Sequence, residues 1–209
     1  MIKGVSDRIA QGLGEQLKVS NDQVEVYSYG LQIVIGATVK LTVILTLALI
    51  LGILEVVLAY SLFFIFLRRY GGGVHLGTYS RCLVVGAAMI LGLSKIATIN
   101  ISVNILIITA ALALLLGCYA TYKWVPAGTE KKVIRDVRLR RKQKVKVFIV
   151  IVIWLISLAF LIHANMLHYA FAATLGVLTG FFLITPLGYK VLQRIDIMLN
   201  KLERGYGHV

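Results

Sequence analysis

The sequence predicts an all-α, polytopic membrane protein with about six transmembrane helices and an N-terminal amphipathic helix. Of its 209 residues, 59% are hydrophobic and 15% are charged, whereas soluble domains carry about 25% charged residues. The apolar residues are gathered into runs close to the roughly 20 residues that cross the hydrocarbon core of a bilayer. The 2 prolines and 2 cysteines exclude a disulfide-rich secreted fold. We therefore expect a single integral membrane domain over residues 1–209.

Residues 1–29 are mixed polar and apolar and are expected to form the amphipathic segment. Apolar residues recur there at steps of three and four, which places them on one face of a helix. These residues are Ile2, Val5, Ile9, Leu13 and Leu17. Such a helix is expected to lie in the plane of the membrane interface or to dock on the protein. No cleavable signal peptide is expected, because the segment has no apolar core of the required length.

Six apolar runs follow, and glycines and polar residues mark their limits. The predicted spans are approximately residues 30–51, 53–67, 82–97, 99–122, 147–163 and 168–189, with Pro186 near the end of the sixth. The run from Gly30 to Leu67 is too long for one span, and we divide it near Gly52. The alternative is one long span at 41–67 preceded by a shallow segment. The remaining tail, residues 190–209, is predicted to be polar.

The net charge of +13 is concentrated between the apolar runs. Ten of the 22 Lys and Arg residues fall in one linker, residues 123–146. By the positive-inside rule this linker is cytoplasmic, as are the basic tail and the loop at 68–81, which contains Arg68, Arg69 and Arg81. Six spans place the N-terminus on the same side. The basic residues are expected to face anionic membrane lipids, and no nucleic-acid partner is expected.

The loop after the second span has the most unusual local sequence, RRYGGGVHLGTYSRC at residues 68–82. His75 and Cys82 are too far apart for a hydrogen bond on one straight helix, but a glycine-rich bend allows the imidazole to approach the thiol. Cys82 would begin the third span, where a helix N-terminus and three nearby arginines stabilise a thiolate suited to nucleophilic chemistry. The alternative is a cysteine that only fills space and a histidine that only anchors the interface. Cys118 lies in an apolar run without such neighbours, and we expect it to pack.

Two charged residues are predicted at or near membrane depth, Lys40 and Glu55. They could pair with each other, or Lys40 could extend to the interface. Glu55 is predicted near the opposite membrane face from His75, so Gln32 is a better placed candidate to orient the imidazole. Because no Asp or Glu occurs between residues 56 and 129, a Cys–His dyad is favoured over a triad completed by an acid.

Two segments of the chain together resemble the AgrB family, the membrane cysteine endopeptidases of Gram-positive quorum sensing. The first has an arginine pair, then a glycine two residues before a histidine, and a cysteine seven residues after that histidine: Arg68, Arg69, Gly73, His75 and Cys82. The second is a Pro-Ala-x-Thr-x-Lys-Lys motif after the fourth span: Pro126, Ala127, Thr129, Lys131 and Lys132. The resemblance covers nearly the whole chain. Val133 departs from it, since the family's linker has a second proline there.

The resemblance implies that Cys82 is the nucleophile and His75 its general base, with Arg68, Arg69 and Gly73 as supporting residues. It implies that the substrate is a short AgrD-like pro-peptide, which loses its C-terminal tail through an acyl-enzyme thioester. The peptide's own cysteine then closes the thiolactone ring of the autoinducing peptide. The resemblance also implies a homodimer in the bacterial cell membrane and no cofactor. The principal alternative is a non-enzymatic transporter or peptide-export partner, which would place polar residues along its spans.

The basic linker, residues 123–146, allows two interpretations that can coexist. Its charge can set the topology by facing anionic lipid, or it can dock an acidic peptide. Because the AgrD tail is typically acidic, the resemblance favours a role in holding that tail for Lys131, Lys132, Arg140 and Arg141. No metal site is expected, since His163 and His168 have no carboxylate nearby.

Overall fold

The computed structural model describes residues 2–74, 76–127 and 136–206. Within these ranges the chain forms eight helices and one isolated β-bridge. The helices are α1 (Ile2–Leu17), α2 (Asn21–Ile50), α3 (Leu54–Gly71), α4 (Tyr79–Ala97), α5 (Val103–Lys123), α6 (Val137–His163), α7 (Leu167–Phe182) and α8 (Pro186–Tyr206). The prediction of an all-α protein is confirmed. Residues 1–47 and residues 48–209 form two compact units.

Four of the described helices are long and apolar enough to cross a membrane, namely α2, α4, α5 and α6. The helices α7 and α8 are bent by 85° and add a fifth span if the pair is counted as one. α3 is apolar along most of its length but carries Glu55, Arg68 and Arg69 within 18 residues. The membrane character of the chain is therefore confirmed, and the predicted number of six spans is approximate.

The division of the long apolar run near Gly52 is confirmed. α2 ends at Ile50 and α3 begins at Leu54, so the alternative of one span over residues 41–67 is wrong. Gly52 has a φ of +65°, a left-handed conformation that glycine adopts readily because it has no Cβ. The chain can therefore turn between the two helices within three residues.

In the first unit, the buried face of α1 consists of small residues and not of its apolar side chains. Ser6, Ala10 and Gly14 recur every four residues along one face of α1, and all three are buried. A Cβ atom on Gly14 would overlap the side chain of Val24 in α2. The apolar face that the sequence predicts is turned outward, with accessible fractions of 39–59% for Val5, Ile9, Leu13 and Leu17. This is the face that an interfacial helix would present to lipid.

A short chain of hydrogen bonds also joins α1 to α2. The Ser28 hydroxyl donates to the Asp7 carboxylate, and the Gln32 side-chain amide donates to Ser28 Oγ at 3.1 Å. The amide of Gln32, which we considered as an orienting group for the imidazole, therefore takes part in the contact between the first two helices.

In the second unit, α7 is the central helix. Eleven of its 16 residues are buried, and it packs against α3, α4, α5 and α6. A Cβ atom on Gly176 would overlap the carbonyl oxygen of Tyr60 in α3, and one on Gly117 of α5 would lie 2.6 Å from the ring of Phe181. Small residues at such contacts allow helix backbones to approach closely. At about 1.5 Å per residue α7 is about 24 Å long, less than the roughly 30 Å of the hydrocarbon core.

The sixth predicted span, residues 168–189, is divided by the bend, and the predicted polar tail is helical. α7 ends at Phe182 and α8 begins at Pro186, a residue well suited to the first turn of a helix because its missing N–H has no partner there. α8 separates its polar and apolar residues onto opposite faces more strongly than the other described helices do.

The basic linker is helical in its second half. α6 begins at Val137, ten residues before the predicted start of the fifth span. Asp136 caps this helix, and its carboxylate accepts hydrogen bonds from the backbone N–H groups of Arg138 and Leu139. The remaining residues of the linker motif lie outside the described residues: Thr129, Lys131, Lys132 and Val133.

We expect Gly176→Ala to lower the stability of the protein by about 1–3 kcal/mol, because the new methyl group would overlap the Tyr60 carbonyl and force α7 away from α3. The apparent Tm in detergent measures this loss. Gly92→Ala in α4 is the matched control, since no atom lies within 4 Å of its added Cβ, and it should be neutral or stabilising by up to about 1 kcal/mol. Equal Tm values for the two variants would contradict the close packing of α3 and α7.

Candidate functional site

Cys82 lies in the first turn of α4, and its side chain is partly accessible. Thr78 is the N-cap of this helix. Its side chain accepts a hydrogen bond from the N–H of Arg81, and its carbonyl oxygen accepts one from the N–H of Cys82 at 3.1 Å. The prediction that Cys82 begins a helix is confirmed. The positive end of the helix dipole therefore favours a negative charge at this position.

Arg68, at the end of α3, holds the glycine-rich loop by its backbone. Its guanidinium donates to the carbonyl oxygen of Gly72 at 3.1 Å and to that of Val74 at 2.7 Å. A Cβ atom on Gly73 would overlap the Arg68 guanidinium, and Gly73 has a φ of +119°. Only glycine is therefore compatible with this contact.

Arg68 also has electrostatic interactions outside the glycine-rich loop. Among its electrostatic interactions are those with Cys82 and with Tyr189 of α8. Arg69, the next residue along α3, is exposed. The structure thus brings Arg68, Gly73 and Cys82 together, and Arg68 provides the positive charge that the sequence suggested for this site.

Arg81 has a different role from the one expected beside the thiol. Its Nη1 atom lies 3.2 Å from Asp196 Oδ1, its Nε donates to Glu203 Oε1 at 3.1 Å, and its Nη2 donates to Asn200 Oδ1 at 3.1 Å. The arginine is only 8% accessible. Two carboxylates therefore balance its charge, and the side chain ties the first turn of α4 to α8.

The sequence analysis missed the α8 side of this site. We treated residues 190–209 as a polar tail, whereas Asp196, Asn200 and Glu203 lie on one face of a helix. Their spacing of four and then three residues was the available signal for such a face. No local feature pointed to Arg81 as their partner, because the two segments are more than 100 residues apart.

The glycine-rich loop pairs with the start of the basic linker. The N–H of Ala127 donates to the carbonyl oxygen of Gly71 at 2.8 Å, and the N–H of Gly73 donates to the carbonyl oxygen of Ala127 at 3.2 Å. Together they form a parallel bridge between Gly72 and Ala127. A Cβ atom on Gly72 would overlap Ala127. The two sequence motifs that carry the resemblance are therefore in direct contact.

The loop around His75 is held on both sides. The N–H of Val74 donates to the carbonyl oxygen of Leu183, in the bend between α7 and α8, at 3.5 Å. The N–H of Gly77 donates to Asp196 Oδ1 at 3.3 Å. His75 itself lies outside the described residues, so its position beside the thiol stays a prediction.

The aliphatic parts of basic side chains, together with two apolar residues, line an open groove of about 550 Å³ along α6. Its lining residues are Arg138, Arg141, Lys142, Val145, Lys146 and Ile149. Lys146 also borders an apolar groove of about 360 Å³ between α3 and α6, and its Nζ lies 5.1 Å from the centre of the Tyr70 ring. Two arginines of α6 were predicted to bind the peptide. Arg141 lines the 550 Å³ groove, and Arg140, one position earlier, is exposed.

Two other candidate residues lie apart from this site. Cys118 is exposed on the surface of α5, so the expectation that it packs inside the protein is wrong. Glu55 accepts a hydrogen bond from the hydroxyl of Tyr169, and it lies at the opposite end of α3 from Arg68. Among the residues that the structure describes, no group of three or more His, Cys, Asp or Glu side chains is placed to hold a metal ion.

A family model described as Accessory gene regulator B matches residues 6–185 of the chain. An AgrB-like protein of Halalkalibacterium halodurans is 28% identical, over 93% of this chain and 94% of that protein. AgrB-like protein 2 of Clostridium perfringens is 23% identical, over 97% of this chain and 100% of that protein. The accessory gene regulator protein B of Staphylococcus aureus is 27% identical, over 73% and 79%. No solved structure matches the chain.

We expect Arg68→Gln to slow the alkylation of Cys82 at neutral pH by up to about tenfold, because the variant loses an electrostatic interaction with Cys82 and the hydrogen bonds that hold the glycine-rich loop. The rate is measured with a maleimide in a Cys118→Ala background. Arg69→Gln is the matched control and should leave the rate unchanged, since that side chain is exposed. Equal slowing by both substitutions would show that the effect comes from general surface charge and not from Arg68.

Proposed function

The chain belongs to the accessory gene regulator B family, and from this premise we propose that it is a membrane cysteine endopeptidase that removes the C-terminal tail of a short AgrD-like pro-peptide. Family membership supports a role in the accessory gene regulator system of quorum sensing. The observation that carries the finer proposal is the placement of Cys82. It lies partly accessible in the first turn of α4, and Arg68 interacts with it electrostatically.

In the proposed reaction, Cys82 Sγ attacks the scissile carbonyl carbon while its proton passes to His75. His75 then gives that proton to the amine of the leaving tail, as the C–N bond breaks and a thioester forms. The peptide's own cysteine next attacks the thioester, which frees Cys82 and closes a thiolactone ring. Because one thioester replaces another, the carbonyl stays activated. Water must be kept from the intermediate, which favours a site partly screened by lipid.

The supporting residues have distinct parts in this proposal. Arg68 fixes the carbonyl groups that flank Gly73 and also interacts electrostatically with Cys82. Gly73 leaves room for the Arg68 guanidinium. Arg69 is exposed at the same end of α3 and is available to the substrate. We further propose that the protein acts as a homodimer in the bacterial cell membrane, with this site and both termini on the cytoplasmic side.

Co-expression with the AgrD-like pro-peptide that we expect to be encoded beside this gene tests the chemistry, with mass spectrometry of the peptide as the measurement. We expect the tail to be removed by the wild type and by Cys118→Ala, and to be retained with Cys82→Ala and with His75→Ala. A product lighter by one water than the free acid would report cyclisation.

Two results would count against this proposal. Cleavage that survives Cys82→Ala would exclude the cysteine mechanism. A folded wild-type protein that leaves the peptide intact would favour the non-enzymatic alternative, a transporter or an export partner. Cys118→Ala controls for the loss of a thiol as such, since Cys118 lies on the outer surface of α5.

We also propose that the basic linker holds the acidic tail of the substrate. Changing Lys131, Lys132, Arg140 and Arg141 together to Gln should slow processing several-fold, and the loss should shrink as salt is raised, because exposed charges are screened. The measurement is the initial rate of tail removal, with a peptide of neutral tail as the matched control. An unchanged rate for the acidic peptide, in a variant of intact topology, would rule out this role.

A further inference from the structure

α8 turns an apolar face outward from the second unit. The face consists of Leu187, Val191, Met198 and Leu202, whose accessible fractions are 38–64%. At about 100° per residue, these four side chains fall within an arc of about 60° around the helix. The described part of the chain leaves this face uncovered over some four turns of helix.

The opposite face of α8 is the one that is bound to the protein. Asp196, Asn200 and Glu203 hold the guanidinium of Arg81, and their arc is centred about 160° from the apolar face. α8 is therefore fixed to α4 on its polar side and presents its apolar side away from that contact.

Basic residues border the apolar face along one edge. Lys190, Arg194 and Lys201 are all exposed, and they fall within an arc of about 40° that adjoins the apolar arc. An apolar face with Lys and Arg along its border is typical of helices that lie in the membrane interface and bind anionic lipid.

The direction of α8 is also suited to the interface. α7 is buried among α4, α5 and α6, which are all candidate membrane spans. α8 leaves α7 at an angle of 85°. A helix nearly perpendicular to the central helix of a membrane bundle runs along the surface of the bilayer.

We propose that α8 lies in the membrane–water interface and binds the anionic lipid surface through this apolar face, with Lys190, Arg194 and Lys201 beside the lipid headgroups. Because Arg81 joins α8 to the first turn of α4, the same contact holds Cys82 at the depth of the interface. The binding of α8 to lipid does not depend on the proposed peptidase activity, so each can fail without the other.

Labels on the two sides of α8 test the proposal in liposomes of phosphatidylcholine with and without phosphatidylglycerol. In a Cys82→Ala, Cys118→Ala background, Met198→Cys places an environment-sensitive fluorophore on the apolar face. Gln193→Cys is the matched control, since it is exposed and lies about 150° from the centre of that face. Quenching by lipid-attached nitroxide and by aqueous iodide is measured for each label.

We expect lipid-attached nitroxide to quench the Met198 label about threefold more than the Gln193 label, and iodide to show the reverse order. Val191→Cys should repeat the Met198 result, which guards against a local effect of one substitution. Changing Lys190, Arg194 and Lys201 to Gln should reduce the quenching by nitroxide at Met198 in the liposomes that contain phosphatidylglycerol.

Two outcomes would overturn the proposal. If iodide quenches the Met198 and Val191 labels as strongly as the Gln193 label, α8 projects into water. If the Met198 and Val191 labels are shielded from both quenchers, protein covers the face, as in contact with a second copy of the chain. An unchanged apparent Tm for each labelled variant shows that the fold is retained.

Discussion

The break between α3 and α4 leaves backbone groups without helical partners, and satisfying them organises the second unit. An unpaired N–H or C=O group away from water costs several kcal/mol, so irregular backbone near a membrane must find partners within the protein. Here the partners are the side chain of Arg68, the backbone of Ala127 and Leu183, and the carboxylate of Asp196. These residues belong to the end of α3, the start of the basic linker after α5, the bend after α7, and α8. The loop therefore gathers four parts of the chain beside Cys82.

This arrangement requires the central helix to be placed accurately, and small residues provide that accuracy. Lipid tails are as apolar as leucine, so helix association in a membrane depends on close contact more than on the hydrophobic effect. Gly176 allows α7 to touch the backbone of α3. In the bend that follows α7, Ile184 makes a similar contact, since a Cβ atom on Gly71 of α3 would lie 2.5 Å from its methyl group. The bend after α7 therefore packs against the start of the glycine-rich loop through a close contact at a glycine, as α7 packs against α3.

The parts of the fold that the sequence predicts correctly are those with local causes. Apolar runs identify the helices that can cross a membrane, Gly52 marks the turn between α2 and α3, and the start of the third apolar run places Cys82 at the beginning of a helix. The contact of Arg81 with α8 could not be predicted in this way, since it joins segments distant in the chain. The pairing of Gly72 with Ala127 also joins distant segments. The sequence identifies each of the two motifs, but it does not predict that they form a bridge. For the candidate site, the sequence identifies Arg68, Gly73 and Cys82 by the resemblance but gives no geometry for them.

An apolar residue in a membrane protein need not be buried by protein, and this limits what the sequence can predict about packing. In α1 the predicted apolar face is exposed, as in a helix that lies in the membrane interface, and the buried stripe consists of Ser6, Ala10 and Gly14. Cys118 was expected to pack because it is apolar in context, yet it lies on the outer face of α5. The tail after the sixth apolar run was predicted only to be polar, and the structure shows that residues 190–206 of it belong to α8.

The bridge between Gly72 and Ala127 has a consequence for how such sequences can be recombined. The two segments of this contact lie in different motifs, with α4 and α5 between them, and each supplies hydrogen-bond partners for the other. A chimera of two related proteins with its crossover between these motifs would combine the glycine-rich loop of one parent with the linker segment of the other. Because the two motifs pair in the structure although they are distant in the gene, we expect viable chimeras to take both of them from the same parent.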